Sequence, residues 1–287
     1  MTVLVLGSTG LLGQAIMAEA ARRGVKAIGA ARRGAEFSLD IENPEAISKA
    51  FVELKPSMVL NAAALTNIDV CEKDPGLAYR VNARAVSLLA EACRFHDAKL
   101  CHVSTEHYFT GDGKARHDEQ APVRLINEYA RSKYAGEAFA LTAPNALVAR
   151  VNIVGWRGWK DQPTYVEWAM DVLSNHKPFK LFFDVFTSPL DVRACAGGLF
   201  DLCDKGASGI VNLGGREVSS KGEFITALAK GLNINPDWAE KGSVKELAAL
   251  RAESLGLDVT LAEKLLGYRL ATTQEVVAAL LNSRPKA

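Results

Sequence analysis

An α/β fold built on a doubly wound parallel sheet is predicted by three features of this sequence. Short apolar runs alternate with helical patterns through the first half of the chain. Those runs lack strict apolar–polar alternation, as expected of strands covered by helices on both faces. A glycine-rich turn, GSTGLLG, directly follows the first run. In chain order, TVLVLG reads as the opening strand, followed by a helix from about Leu12, a strand at KAIGAA, a helix from about Pro44 and a strand at SMVLNAAA. One helix then covers LAYRVNARAVSLLAEACRFHD, KLCHVST is a strand, a helix carries Tyr129 and Lys133, and ALVARVNIVG is a strand. From about Trp156 the texture changes, because GWRGWKDQPTYVEWAM crowds three tryptophans among Gly, Pro and charges. SGIVNLGG reads as a further sheet strand, and the stretch from Ser220 to the end as mostly helical.

Composition narrows the possible partners. With 287 residues, 48% of them hydrophobic, the chain can bury a large core as one big domain or two unequal ones. The net charge is +1 and no long basic or acidic run occurs, so nothing marks a nucleic-acid or anionic-membrane surface. Small-molecule partners are expected. The start, MTVLVLGSTG, has no basic region before its apolar run and no small-residue cleavage site, so it reads as a strand and not a signal peptide. No stretch approaches the ~18 uninterrupted apolar residues of a membrane span. Cys71, Cys93, Cys101, Cys195 and Cys203 are odd in number and form no CxxC pair, which argues against a disulfide framework or a zinc site. Reduced, buried cysteines of a cytoplasmic protein are expected.

The glycine turn carries the first functional signal. Gly7 permits a tight turn, Gly10 lets the backbone approach a pyrophosphate and Gly13 lets the helix pack closely on the strand, with the helix N-terminus facing the phosphates. Thr9, Leu11 and Leu12 of the same turn are counted with this cofactor site. The fold is therefore expected to be of the Rossmann type, and the GxxGxxG spacing resembles the extended and atypical short-chain dehydrogenases. An acidic residue at the end of the second strand normally receives the ribose 2′-hydroxyl of NAD, whereas an arginine accommodates the 2′-phosphate of NADP. Here Arg32 and Arg33 stand where the acid would be. NADPH is the expected cofactor, with NADH the alternative; an ordinary basic loop is the other reading of the two arginines. Asp40 and Ile41 in SLDIEN resemble the pair that frames the adenine in this superfamily.

The spacing of Tyr129 and Lys133 in NEYARSK decides little alone, since i and i+4 share a face of any helix. Its neighbours give it weight. NAAALTNIDVCEKDP, VNARAVSLLAEAC, VSTEHYFTGDG and NEYARSKYAGE follow one another in an order and spacing similar to dTDP-4-dehydrorhamnose reductases and related sugar-nucleotide reductases. The resemblance runs from Met1 to about Gly155 and continues more faintly through FFDVFTSPLDVRACA and RAESLGLDVTLAEKLLGYRL. It implies a catalytic trio of Thr105, Tyr129 and Lys133. Reducing a ketone needs a hydride on carbon and a proton on oxygen. A tyrosine, with a reference pKa of ~10, needs a nearby cation to act at neutral pH. Lys133 would supply that charge and reach the nicotinamide ribose from the rim of the site, while Thr105 would orient the substrate oxygen toward Tyr129.

Asn61 is expected at a strand end, with Ala62, Ala63 and Ala64 beside the cofactor. Asn82 is either a helix residue tying backbone near the site or a plain surface asparagine. Thr66, Glu106, His107 and Asn152 are expected to face the substrate. The family usually has Asp-Tyr-Val where this chain has Glu106, His107 and Tyr108. Its tryptophan in the strand after Arg150 is replaced by Ile153, with Trp156 displaced, and its Arg-Pro pair appears as Arg251 and Ala252. A changed substrate pocket follows.

The expected organisation is an NADP-binding domain over residues 1–155, rejoined by parts of 185–215, and a discontinuous substrate-binding lobe from 156–184 and 216–287. The expected activity is NADPH-dependent reduction of a nucleotide-linked 4-keto deoxysugar for glycoconjugate or polysaccharide synthesis, by a cytoplasmic monomer or homodimer. An epimerase of the same superfamily, or a non-catalytic subunit similar to the regulatory subunit of methionine adenosyltransferase, are the alternatives. Some relatives dimerise through a metal held by acidic residues; no such cluster appears here, and no metal is expected.

Overall fold

The computed structural model describes residues 2–246 and 249–285. The first half comprises β1 (Thr2–Leu6), α1 (Leu11–Arg22), β2 (Lys26–Ala31), β3 (Phe37–Ser38), α2 (Pro44–Leu54), β4 (Met58–Asn61), α3 (Ile68–Lys73) and α4 (Pro75–Tyr79). A π-helical turn at Arg80–Arg84 leads into α5 (Ala85–Phe95), β5 (Lys99–Thr105), α6 (Glu128–Ala140), β6 (Leu147–Val151) and β7 (Ile153–Val154). Next come α7 (Tyr165–Ser174), β8 (Lys180–Phe182), β9 (Phe186–Thr187), β10 (Leu190–Asp191), α8 (Val192–Asp204), β11 (Gly209–Leu213) and β12 (Ser219–Ser220). The chain closes with α9 (Lys221–Gly231), β13 (Glu240–Gly242), a short 3-10 turn at Val244–Glu246, β14 (Ser254–Leu255), α10 (Thr260–Leu266) and α11 (Thr273–Asn282).

Seven strands form one sheet in the order β11-β6-β5-β4-β1-β2-β3, with every neighbouring pair parallel. The apolar runs explain it. Successive strand residues point to opposite faces, and in β1 Val3 and Val5 enter one core while Leu4 and Leu6 enter the other. The first core is closed by α1 and α8, the second by α2 and α5. β11 and α8, from within residues 185–215, extend the sheet beside β6 and pack on α1. The order reverses between β1 and β4, so the carboxyl ends of these strands open the crevice where doubly wound folds bind ligands. A third core joins α7, α9 and α11 through Val166, Met170, Phe224, Leu228, Val276 and Leu280, forming the lobe above that crevice. Each of these three helices starts with a capping box, set by Thr164, Ser220 and Thr272.

Two expectations are corrected. The single helix read over residues 77–97 is broken by the π turn, which directs Asn82 inward. The Asn82 side chain accepts from Leu65 N at 2.8 Å and donates to Leu65 O at 2.9 Å and Ser132 Oγ at 3.1 Å. A wider turn of this kind is common at functional sites. Here α6 meets it at backbone distance, since a Cβ on Gly136 would lie 2.1 Å from Asn82 O. The stretch from Ser220 onward is also not mostly helical. α9 and α10 are separated by residues 232–259, where Pro236 and Gly242 interrupt any helical repeat and β13 and β14 pair with β8 and β9 instead.

Candidate active site

The glycine turn has no room for side chains at two of its positions. Gly7 has φ +73°, and a Cβ there would lie 2.8 Å from Ala63 N; one on Gly13 would lie 2.0 Å from Gly7 O. Gly10 is the N-cap of α1 and contributes no side-chain hydrogen bond, so no capping side chain satisfies the first-turn N–H groups. That arrangement suits a phosphate. Ala62, Ala63 and Ala64 lie half-buried after β4, with Ala63 N donating to Asn61 Oδ1 at 3.1 Å. Burial holds His102 well below the usual histidine range, and because Asn61 Nδ2 can only donate, the neutral ring accepts from it at Nδ1 at 3.1 Å. Arg32 and Arg33 immediately follow β2, are exposed, and form no ion pair among the described residues. Ile41 is buried, and exposed Asp40 accepts from Glu42 N at 3.0 Å. The residues around this turn fit a dinucleotide cofactor.

Across the crevice, Thr105 ends β5, and Tyr129 and Lys133 lie in the first two turns of α6. Asn127 fixes the start of that helix by accepting from Ala130 N at 2.8 Å and ties it to the lobe by donating to Leu250 O at 3.1 Å. Burial pushes the Tyr129 phenol well above its ordinary range, and the adjacent Thr105 hydroxyl offsets this only in part, so the resting group is a protonated donor. The expectation that Lys133 lies at the rim is corrected. It is 2% exposed, and its ammonium donates to Val103 O at 2.7 Å. Burial pulls its pKa down to about 8 against the opposing charge of Glu137.

A cavity of about 150 Å³ is walled by Glu106, His107 and Asn152 below and by Tyr165, Lys221 and Phe224 of the lobe above. Glu106 accepts from Asn152 Nδ2 at 2.6 Å and from Thr105 Oγ1 at 3.2 Å, linking the cavity floor to Thr105. The His107 ring meets Tyr129 edge-on at 5.6 Å, and burial lowers its pKa, so it is neutral near pH 7. The Lys221 ammonium lies 5.4 Å from the Tyr165 ring centroid, its pKa lowered by burial with Glu106 opposing. Thr66 is exposed and is not among the residues walling this cavity. Ile153 lines it, whereas Trp156 turns into the lobe and donates to Leu280 O at 3.1 Å. Arg251 binds Asp69 at 3.0 Å, and Ala252 is buried. Among the described residues no group of His, Cys, Asp or Glu converges as a metal site, and no helix is long and apolar enough to cross a membrane.

Sequence reasoning missed Tyr165 and Lys221. Each is the first residue of a helix opened by a capping box, T-Y-V-E and S-K-G-E. Those boxes locate both helix starts, but nothing in their spacing says that the two starts share one cavity.

A family model described as the RmlD substrate binding domain matches residues 1–284. Among relatives, a probable low-salt glycan biosynthesis reductase of Haloferax volcanii is 28% identical, with 98% of this chain and 97% of that protein covered. The dTDP-4-dehydrorhamnose reductase of Mycobacterium tuberculosis is 35% identical over 73% of this chain and 68% of its own length. In fold, the chain superposes on the crystal structure of a Bacillus anthracis dTDP-4-dehydrorhamnose reductase in complex with NADP, with TM-score 0.86, 23% identity and 98% of each chain covered. With the glycine turn, the Thr105–Tyr129–Lys133 group and the lobe spanned by one family model, the chain belongs to the RmlD substrate binding domain family.

Proposed function

We propose that this chain is a cytoplasmic, NADPH-dependent reductase of a nucleotide-linked 4-keto deoxysugar serving glycan precursor synthesis. The cofactor half is residues 1–155 rejoined by parts of 185–215, and the substrate lobe is 156–184 with 216–287. The observation that carries the reading is the buried Tyr129 at the carboxyl edge of the sheet, its ring set against His107, which with Glu106 and Asn152 walls a sugar-sized cavity. The names of the relatives from Haloferax volcanii and Mycobacterium tuberculosis support it. When bound, the reduced nicotinamide supplies the hydride. Thr105 and Tyr129 hold the ketone oxygen, Tyr129 gives it a proton, and Lys133 supplies the positive charge that favours proton loss from the phenol. Glu106, fixed by Asn152, and neutral His107 offer hydrogen bonds to sugar hydroxyls. A panel of nucleotide 4-keto sugars incubated with enzyme and NADPH, followed at the nicotinamide absorbance, tests the assignment; no oxidation with any of them defeats it.

Two outcomes follow from individual residues. Replacing Arg32 and Arg33 together with Ala should abolish a several-fold preference for NADPH over NADH and leave NADH binding nearly unchanged, because charge-assisted contacts to the 2′-phosphate are lost. Equal affinities for the two cofactors in the parent protein would contradict the roles of both arginines. The depressed pKa of Lys133 sets a pH limit. Its ammonium is present below pH about 8 and is lost as pH rises through that value, so kcat/KM for NADPH, which reports the free enzyme, should decline above pH about 8. A profile flat to pH 10 would show that this charge is not needed.

A further inference from the structure

A second cavity, of about 380 Å³, lies on the other side of the glycine turn. Ser8 and Thr9 of the turn, Gln14 and Met17 of α1, and the Gly34–Glu36 loop form its inner walls, and the outer wall is Trp159 of the lobe. We propose that Trp159 is a cofactor-binding residue that closes this pocket over the phosphorylated adenosine end of the dinucleotide. The inference rests on the NADPH reading above.

Three observations carry it. Trp159 lies more than a hundred residues beyond every other lining residue, and 42% of it is exposed, a large amphipathic ring facing a space lined by the phosphate turn. The ring is held in place, because the Arg157 guanidinium lies over it at 4.2 Å and donates to Gln162 O. Arg157 Nε is buried with no partner among the described residues, leaving a donor unused beside the indole. The segment carrying both residues is anchored at its base: Arg157 N and Gly158 N each donate to Glu167 Oε1 at 2.6 Å, and Thr164 Oγ1 donates to Gly155 O at 2.7 Å. Gly155 in turn packs against Leu11 of the glycine turn.

The chemistry selects the occupant. The turn residues Ser8 and Thr9 facing an aromatic ring, with Arg32 and Arg33 immediately before the Gly34–Glu36 wall, suit the phosphorylated ribose of the adenosine end, with the indole covering that ribose. Glu36 on the same wall opposes an anion, while Arg32 and Arg33 adjoin the Gly34–Glu36 loop in sequence without lining the pocket. The tryptophans after residue 155, where the texture of the sequence changes, thereby gain a role at Trp159.

The test uses the full chain and calorimetric titration of NADPH and of adenosine 2′,5′-bisphosphate, the isolated adenosine end. Trp159→Ala should weaken both by roughly 5-fold or more, the cost of losing about 1 kcal/mol of aromatic contact. Trp159→Phe should restore most of the affinity. In the parent, the bisphosphate should change tryptophan emission, and in Trp159→Phe that change should largely vanish although Trp156, Trp168 and Trp238 remain. If Trp159→Ala binds both ligands like the parent, or Trp159→Phe is as weak as Trp159→Ala, the proposed contact is wrong while NADPH use stands. If the parent binds neither ligand, the cofactor reading itself falls, and the Trp159 assignment falls with it.

Discussion

Tyr129→Phe is expected to lower kcat by roughly 10²- to 10⁴-fold, the usual cost of removing a general acid. The substitution keeps the ring in its place against His107 and removes only the hydroxyl beside Thr105. NADPH affinity should therefore stay nearly constant, and this contrast separates lost chemistry from lost structure. Residual turnover would come from water entering the space left by the phenol oxygen. A variant that reduces a keto sugar at the parent rate in a matched assay would place the proton donor elsewhere.

Arg150→Met should be the most damaging change for stability. Arg150 and Glu137 are each 2% exposed, and the guanidinium donates from Nε at 3.0 Å and from Nη2 at 2.8 Å to the carboxylate. Although burial works against its charge, Glu137 holds the guanidinium above its ordinary range. Ser104 Oγ adds a 2.6 Å bond to the same carboxylate, and the Tyr108 ring lies 5.1 Å from the guanidinium. Removing the arginine leaves a buried carboxylate short of its counter-charge, which costs about 3–5 kcal/mol. Pairing it with Glu137→Leu removes the stranded carboxylate at the expense of a counter-charge for buried Lys133 and should recover part of that loss, since apolar replacements of buried ion pairs are often neutral or better. Denaturant melts of the parent, single and double variants decide the point: a single variant as stable as the parent, or a double variant weaker than the single, would refute it.

The parts of this molecule legible in its sequence are those whose information is local. GSTGLLG, NAAA and NEYARSK each specify a turn, a strand end or a helix start within a few residues, and the structure brings these together because the ends of parallel strands lie side by side. Asn127 illustrates it, since an asparagine ahead of a polar turn is readable as a cap and here it sets where Tyr129 and Lys133 begin. What escaped was information held by pairs of distant segments. The burial of Lys133 depends on the contact of α6 with β5 and the π turn, and the π turn itself has the composition of an ordinary helix. The lobe's share of the cavity depends on two helix starts brought together by the core of α7, α9 and α11. Thr66 shows the converse, because a motif places it near the site in sequence while its loop leaves it exposed and off the wall of the cavity.

The placement of β11 has a consequence for synthesis. Its partner β6 is complete at Val151, whereas Gly209, which opens β11, follows more than fifty residues later. During translation every strand from β1 to β6 has left the ribosome while the outer edge of β6, with its unpaired backbone donors and acceptors, is still uncovered. An open, apolar edge of that kind is a template for pairing with another nascent chain. The glycine turn, by contrast, is built entirely from residues already made, so a dinucleotide bound there would stabilise the half-finished protein before its last sheet strand arrives.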